Sequence, residues 1–237
     1  MSVTLKVFKD KNAVARQFAE DLLSMTEGKG KVTIALSGGS TPKVLFKLLA
    51  DEYLDRINWS VVHFFWGDER CVLPDDDDSN FKMTNELLLQ HISESQRNVY
   101  RVKGEDDPKE EAKRYAQVIE QVVDQANGLP QFDVMILGMG DDGHTASIFP
   151  HQMELLDADT ICATAQHPVS GQIRVSLTGK VINNARQTAF LVTGEGKAER
   201  VREIFKKEGD YLKYPATYIQ GNVDWYSDEA AAKYLKG

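Results

Sequence analysis

The chain has 237 residues, 42% apolar and 27% charged, and a formal net charge of −8. At roughly 150 residues per domain this is one large domain or two small ones, with enough chain to bury a core without disulfide staples. The balance excludes a mostly disordered chain. No apolar run approaches the roughly 18 residues of a membrane span, and the acidic surface argues against nucleic acid as the main partner.

The elements follow in chain order. Val14, Phe18, Leu22 and Met25 fall at helical spacing within residues 10–26, and Gly28 and Gly30 end that helix. Val32–Leu36 is a short apolar run, read as a buried strand. Ser37-Gly38-Gly39-Ser40-Thr41-Pro42 follows, then a helix with Leu45, Leu48 and Leu49 inward. Pro42 suits the first helical position, with Ser40 or Thr41 as cap. Val61–Trp66 reads as a strand, Ser79–His91 as a helix and Pro108–Asn127 as a long helix burying Ala112, Tyr115, Ile119 and Val122. Phe132–Leu137, Ile173–Leu177, Thr188–Thr193 and Ala216–Ile219 read as strands. Glu195–Lys207 and Ser227–Lys236 read as helices. Doubly apolar strands alternating with helices imply one α/β domain over residues 1–237, Rossmann-like, with a mostly parallel sheet and helices on both faces.

Ligands of open α/β sheets bind beyond the carboxyl ends of the strands. Ser37–Pro42 sits at such an end. Gly38 and Gly39 allow close backbone approach, free N–H groups at the helix start favour an anion, and Ser40 and Thr41 add hydroxyls. The segment reads as a phosphate cradle, though not a Walker A loop, because the GK[ST] ending is missing. The plainer alternative is a tight capped turn.

Gly138–Pro150 contains G-x-G-x-x-G, with Asp157 and Asp159 near the acidic spacing of a dinucleotide site. Pro150 arrives too soon for the crossover helix such a site needs, so a nicotinamide cofactor is not expected. Asp142-Gly143-His144 is the better feature. A neutral imidazole can take a proton from water, and a nearby aspartate can orient the ring or the water. Two residues of separation do not by themselves guarantee their pairing. Gly67-Asp68-Glu69-Arg70 ends another strand. There Asp68 and Glu69 are candidate acids or bases, and Arg70 a candidate for holding an oxyanion. Arg174 and Lys197 open later elements and can add positive charge to a phosphate site.

Asp75–Asp78 reads as a solvated acidic loop rather than a metal cluster, and Asp78-Ser79 can cap the next helix. His63, His91, His151 and His167 lack zinc-site spacing. Cys71 and Cys162 lie outside any CxxC pattern, and residues 1–10 lack a signal-peptide apolar stretch. A reduced, cytoplasmic setting is therefore expected.

Taken together and in order, these segments resemble the 6-phosphogluconolactonases over nearly the whole chain. The matching motifs are Ser37–Pro42, Trp66-Gly67-Asp68-Glu69-Arg70 with Ser79-Asn80, and Gly138-x-Gly140-x-Asp142-Gly143-His144-Thr145-Ala146-Ser147-x-Phe149-Pro150. Arg174-Val175-Ser176-Leu177, Val192-Thr193-Gly194-x-x-Lys197-Ala198 and Pro215-Ala216 follow. The resemblance implies hydrolysis of 6-phospho-D-glucono-1,5-lactone in the oxidative pentose phosphate pathway, with no metal or organic cofactor. His144, Asp142 and Arg70 would be catalytic. Gly38, Gly39, Ser40, Thr41, Arg174 and Lys197 would hold the substrate phosphate. The partner is a small phosphosugar lactone, with neither nucleic acid nor membrane expected. Two alternatives stay open. Glucosamine-6-phosphate deaminases share the Asp-Gly-His element but carry a glutamate where this chain has Thr145–Pro150. A non-catalytic sugar-phosphate sensor should carry a helix-turn-helix segment, and none is evident here.

Overall fold

The computed structural model describes residues 2–235. The chain opens with β1 (Ser2–Phe8) and α1 (Lys11–Thr26). Asp10 starts α1 by accepting from Ala13 N at 2.9 Å, and Val14, Phe18 and Leu22 form its buried stripe. Next come β2 (Val32–Leu36), α2 (Ser40–Glu52), β3 (Val62–Trp66), β4 (Asp68–Arg70), α3 (Asn80–Leu87) and β5 (Asn98–Val99). α4 (Pro108–Val122) is capped by Asp107, which accepts from Lys109 N and Glu110 N. β6 (Gln125–Ala126) and β7 (Leu129–Pro130) make a small hairpin. The chain continues with β8 (Val134–Leu137), β9 (Cys162–Gln166), β10 (Ile173–Leu177) and α5 (Gly179–Asn183). It ends with β11 (Gln187–Val192), α6 (Ala198–Lys206) and β12 (Asn222–Asp228).

Seven strands form a parallel sheet in the order β1-β12-β11-β8-β2-β3-β5. Its central strands are buried on both faces because helices cover each side. Ile34, Val134 and Ile136 join α1 and α2 in one core. Met135, Leu137 and Phe190 join α4, α5 and α6 in the other. This alternation is the period-two geometry of a strand between two apolar layers. From β2 the chain adds strands in one direction, to β3 and β5, and from β8 in the other, to β11 and β12. The sheet order therefore reverses between β2 and β8, and a crevice opens beyond their carboxyl ends. A second sheet, β4-β10-β9, is antiparallel and turns off the first at Gly67, whose carbonyl accepts from Leu177 N at 2.8 Å.

Several expected boundaries moved. Ala216–Ile219 is not a strand: Pro215–Tyr218 forms a 3-10 turn and the strand is β12. β12 takes the start of the expected Ser227–Lys236 helix, because Tyr226 and Ser227 are fully enclosed between β1 and β11. Residues 229–235 are turns, and Lys236 lies outside the described residues. The Pro108–Asn127 helix stops at Val122, where Asn127 and Gly128, both at positive φ, fold the β6–β7 hairpin. Ser79–His91 splits into α3 and a 3-10 turn at Leu89–His91. Glu195–Lys207 starts as a 3-10 turn, Glu195–Lys197, before α6. β1, β5, β9 and α5 had no counterpart in the sequence reading.

Candidate active site

The crevice at the β2/β8 reversal holds a cleft of about 200 Å³. Gly38–Thr41, Arg70, His144, Arg174 and Lys197 all line it, with Asp68, Asn80 and Thr193. Of the residues singled out from the sequence for the site, Glu69 and Asp142 are not on its wall, and Asp142 is hydrogen-bonded to His144, which is.

The loop after β2 makes one wall. α2 begins at Ser40 with Gly39 as its cap residue, and no side chain caps its first turn. This corrects the expected capping. Gly39 turns the chain at φ 106°, so Ser40, Thr41 and Pro42 fill the first three helical positions. Thr41 directs its hydroxyl sideways to Thr193 Oγ1, 2.7 Å away, tying α2 to the end of β11. The uncapped turn leaves the positive end of the helix dipole facing the cleft. Gly38 has another cause. A Cβ there would collide with the Asn80 amide, lying 2.7 Å from its Cγ.

Asn80 is held in turn by the residues after β3. Its Nδ2 donates to the Asp68 carbonyl at 3.0 Å. The buried Glu69 carboxylate accepts from Asn80 N at 2.8 Å, Phe81 N at 2.7 Å, Arg70 N at 2.8 Å and Ser79 Oγ at 3.2 Å. Burial pushes its pKa up and these backbone N–H groups oppose the rise. Glu69 is thus occupied in starting α3, with Ser79 as the cap that accepts from Lys82 N. It is not free for acid–base work.

The loop after β8 carries the titratable pair. His144 Nδ1 and Asp142 Oδ1 are 2.6 Å apart, and the same oxygen accepts from His144 N at 3.1 Å. The pairing left open by the sequence is made because the turn folds back on itself. Gly140 N donates to His144 O, Gly143 adopts φ 80°, and a side chain at Gly140 would strike the imidazole. Burial alone would raise the Asp142 pKa. The His144 hydrogen bond, its charge and the backbone N–H instead hold it down at about 2. With the carboxylate as acceptor and Nδ1–H as donor, Nε2 is the ring nitrogen that this contact does not use.

Beside the imidazole stand two arginines. Arg70 and Arg174 face one another across the antiparallel β4–β10 pair. Like charges at directly opposed positions are unfavourable unless something answers them. Asp68, 5% exposed, lies 3.9 Å from Arg174 Nη1 and accepts from Ser147 Oγ at 2.6 Å. Arg174 Nη1 also donates to Ser147 Oγ at 3.4 Å. Arg70 Nη1 donates to the Asp78 carbonyl at 2.5 Å. The Nε atoms of both arginines are buried without a partner. Phe149 links this group to the imidazole, with its ring centre 4.7 Å from that of His144 and 5.5 Å from the Arg174 guanidinium carbon. Lys197 lines the same cleft, its Nζ 2.5 Å from Asp141 Oδ1.

Sequence reasoning missed Ser147, Thr193 and Asp141 as site residues. Ser147 and Thr193 stood inside the quoted motifs, but their partners lie 79 and 152 residues away along the chain. Among the described residues no group of three or more His, Cys, Asp or Glu side chains is placed to hold a metal ion, and no helix is long and apolar enough to cross a membrane.

The family model for glucosamine-6-phosphate isomerases/6-phosphogluconolactonase matches residues 9–226. The 6-phosphogluconolactonase of Haemophilus influenzae is 44% identical over 92% of this chain and 94% of its own. That of a Nostoc species is 35% identical over 99% of both chains. Among solved structures, the Trypanosoma brucei 6-phosphogluconolactonase superposes with a TM-score of 0.84 at 28% identity, covering 99% of each chain. A monomeric glucosamine-6-phosphate deaminase, 20% identical with a TM-score of 0.80, shares the fold. The chain belongs to the glucosamine-6-phosphate isomerase/6-phosphogluconolactonase family.

Proposed function

We infer that this chain is a 6-phosphogluconolactonase, a hydrolase that opens 6-phospho-D-glucono-1,5-lactone to 6-phospho-D-gluconate in the oxidative pentose phosphate pathway. One observation carries the mechanism. The Asp142–His144 pair, 2.6 Å apart, engages Nδ1 and leaves Nε2 outside that contact, in a cleft that also holds two arginines and an uncapped helix start.

His144 Nε2 takes a proton from water as the water oxygen bonds to the lactone carbonyl carbon. Asp142 steadies the imidazolium that forms. Arg70 faces the negative charge that develops on the carbonyl oxygen, in a wall where its Nε has no protein partner. The tetrahedral species then collapses and the ring C–O bond breaks. The leaving oxygen takes the proton back from His144, giving the hydroxy acid. The phosphate lies at the other end, against the N–H groups of Gly38, Gly39, Ser40 and Thr41, the Ser40 hydroxyl and the Lys197 ammonium. The Thr41 hydroxyl is engaged by Thr193 and supports the wall instead. The sequence reading placed Arg174 with the phosphate. Its register opposite Arg70 and its stacking on Phe149 favour the reacting end.

The test is phosphogluconate formation from fresh lactone, read through a coupled dehydrogenase with the uncatalysed rate subtracted. His144→Ala should lower kcat by about 10²–10⁴-fold, the usual worth of a positioned base. An intact fold with undiminished kcat would remove His144 from the mechanism. Ammonia release from glucosamine 6-phosphate, with no lactone hydrolysis, would move the chain to the deaminase branch.

A further inference from the structure

Asp141 is 88% exposed at its side chain, yet its carboxylate is engaged by Lys197, whose side chain is only 24% exposed. Lys197 ends the 3-10 turn that follows β11 and lines the same cleft as Gly39 and Ser40. The Asp141 backbone is anchored separately, its carbonyl accepting from Arg200 Nε at 3.1 Å. The carboxylate can therefore leave Lys197 by side-chain rotation alone. Exposed ion pairs are weak, so this departure costs little. A phosphate dianion at the uncapped start of α2 offers the ammonium a stronger, charge-assisted partner.

We propose that Asp141 is an internal competitor for the substrate phosphate. Its carboxylate occupies the Lys197 ammonium, and phosphate recognition exchanges this monoanion for the incoming dianion. The proposal rests on the placement of Lys197 at the phosphate end. It makes Asp141 a residue that sets affinity for the phosphate group. The exchange also takes place one residue from Asp142, in the turn that holds the base.

The experiment is titration calorimetry of 6-phosphogluconate, with inorganic phosphate as a second probe. It uses wild type, Asp141→Asn, Lys197→Ala and the double variant, with thermal unfolding to confirm an intact fold. Asp141→Asn should bind 6-phosphogluconate roughly two- to fivefold more tightly, the worth of one exposed ion pair. That gain should vanish when Lys197 is alanine. Binding that is unchanged or weaker in Asp141→Asn, with Lys197→Ala clearly weakened, would overturn the competitor role and leave the phosphate placement standing. Unchanged binding in Lys197→Ala would overturn that placement and the proposal with it.

Discussion

Replacing Gly38 with alanine tests how the cradle is built. A Cβ there would lie 2.7 Å from Asn80 Cγ and 3.1 Å from its Nδ2, well inside contact distance. Asn80 is 3% exposed and cannot swing into solvent. Its amide donates to the Asp68 carbonyl at 3.0 Å and its backbone N to Glu69 at 2.8 Å. Making room forfeits the amide hydrogen bond, about 1–3 kcal/mol when a buried group is left unpaired. Overpacking adds about 1–3 kcal/mol. The expected loss is thus about 2–6 kcal/mol, or a Tm lower by roughly 5–20 °C for a chain of this size. Urea denaturation of Gly38→Ala, Asn80→Ala and the double variant measures it. The Gly38→Ala cost should fall below about 1 kcal/mol once Asn80 is alanine, because the collision is then gone. KM for the lactone should rise in the single variant, since the displaced wall supports the start of α2. A cost that persists in the Asn80→Ala background would refute the argument and place the constraint in the backbone. At Gly39 the backbone does impose the constraint: a Cβ meets nothing within 4 Å, but φ is 106°.

Two more substitutions separate roles within the site. Asp142→Asn can keep both hydrogen bonds through its amide oxygen but loses their charge assistance, about 1–1.5 kcal/mol. Its kcat should fall about tenfold, and a steady-state rate equal to wild type would remove Asp142 from the mechanism. The same carboxyl, held at about 2 against an ordinary 3.8, favours the folded state fully above about pH 4. That contribution is lost as pH falls through 2, so the stability gap between wild type and Asp142→Asn should close on acidification. Glu69→Gln presents an NH₂ to donors that both carboxylate oxygens now serve, leaving one pair of them unanswered. About 2 kcal/mol of stability should be lost, and calorimetric unfolding indistinguishable from wild type would contradict the capping role.

Much of this molecule was legible in the residue order because its determinants are local. Val32–Leu36 and Phe132–Leu137 announce buried strands by continuous apolar composition, and the glycines at 38, 39, 140 and 143 mark turns at strand ends. Asp142 and His144 lie two residues apart, so their proximity was within reach of the sequence, although only the folded turn makes the 2.6 Å contact. What escaped depends on partners far along the chain. β1 is a strand because it pairs with β12, more than two hundred residues on, and its own pattern of partly exposed residues carries little signal. Ala216–Ile219 has strand-like composition, yet the place between β1 and β11 is taken by Asn222–Asp228, and a parallel sheet admits one strand per gap. The Arg70–Arg174 pair, the Asp68–Ser147 hydrogen bond and the Asp141–Lys197 contact join segments from opposite halves of the chain or from separate elements. Composition and periodicity marked the buried central strands, most of the helices and the glycine turns at the strand ends. The reversal of strand order at β2 and β8 decided which of those turns meet, because only packing of the whole sheet brings their carboxyl ends to one crevice.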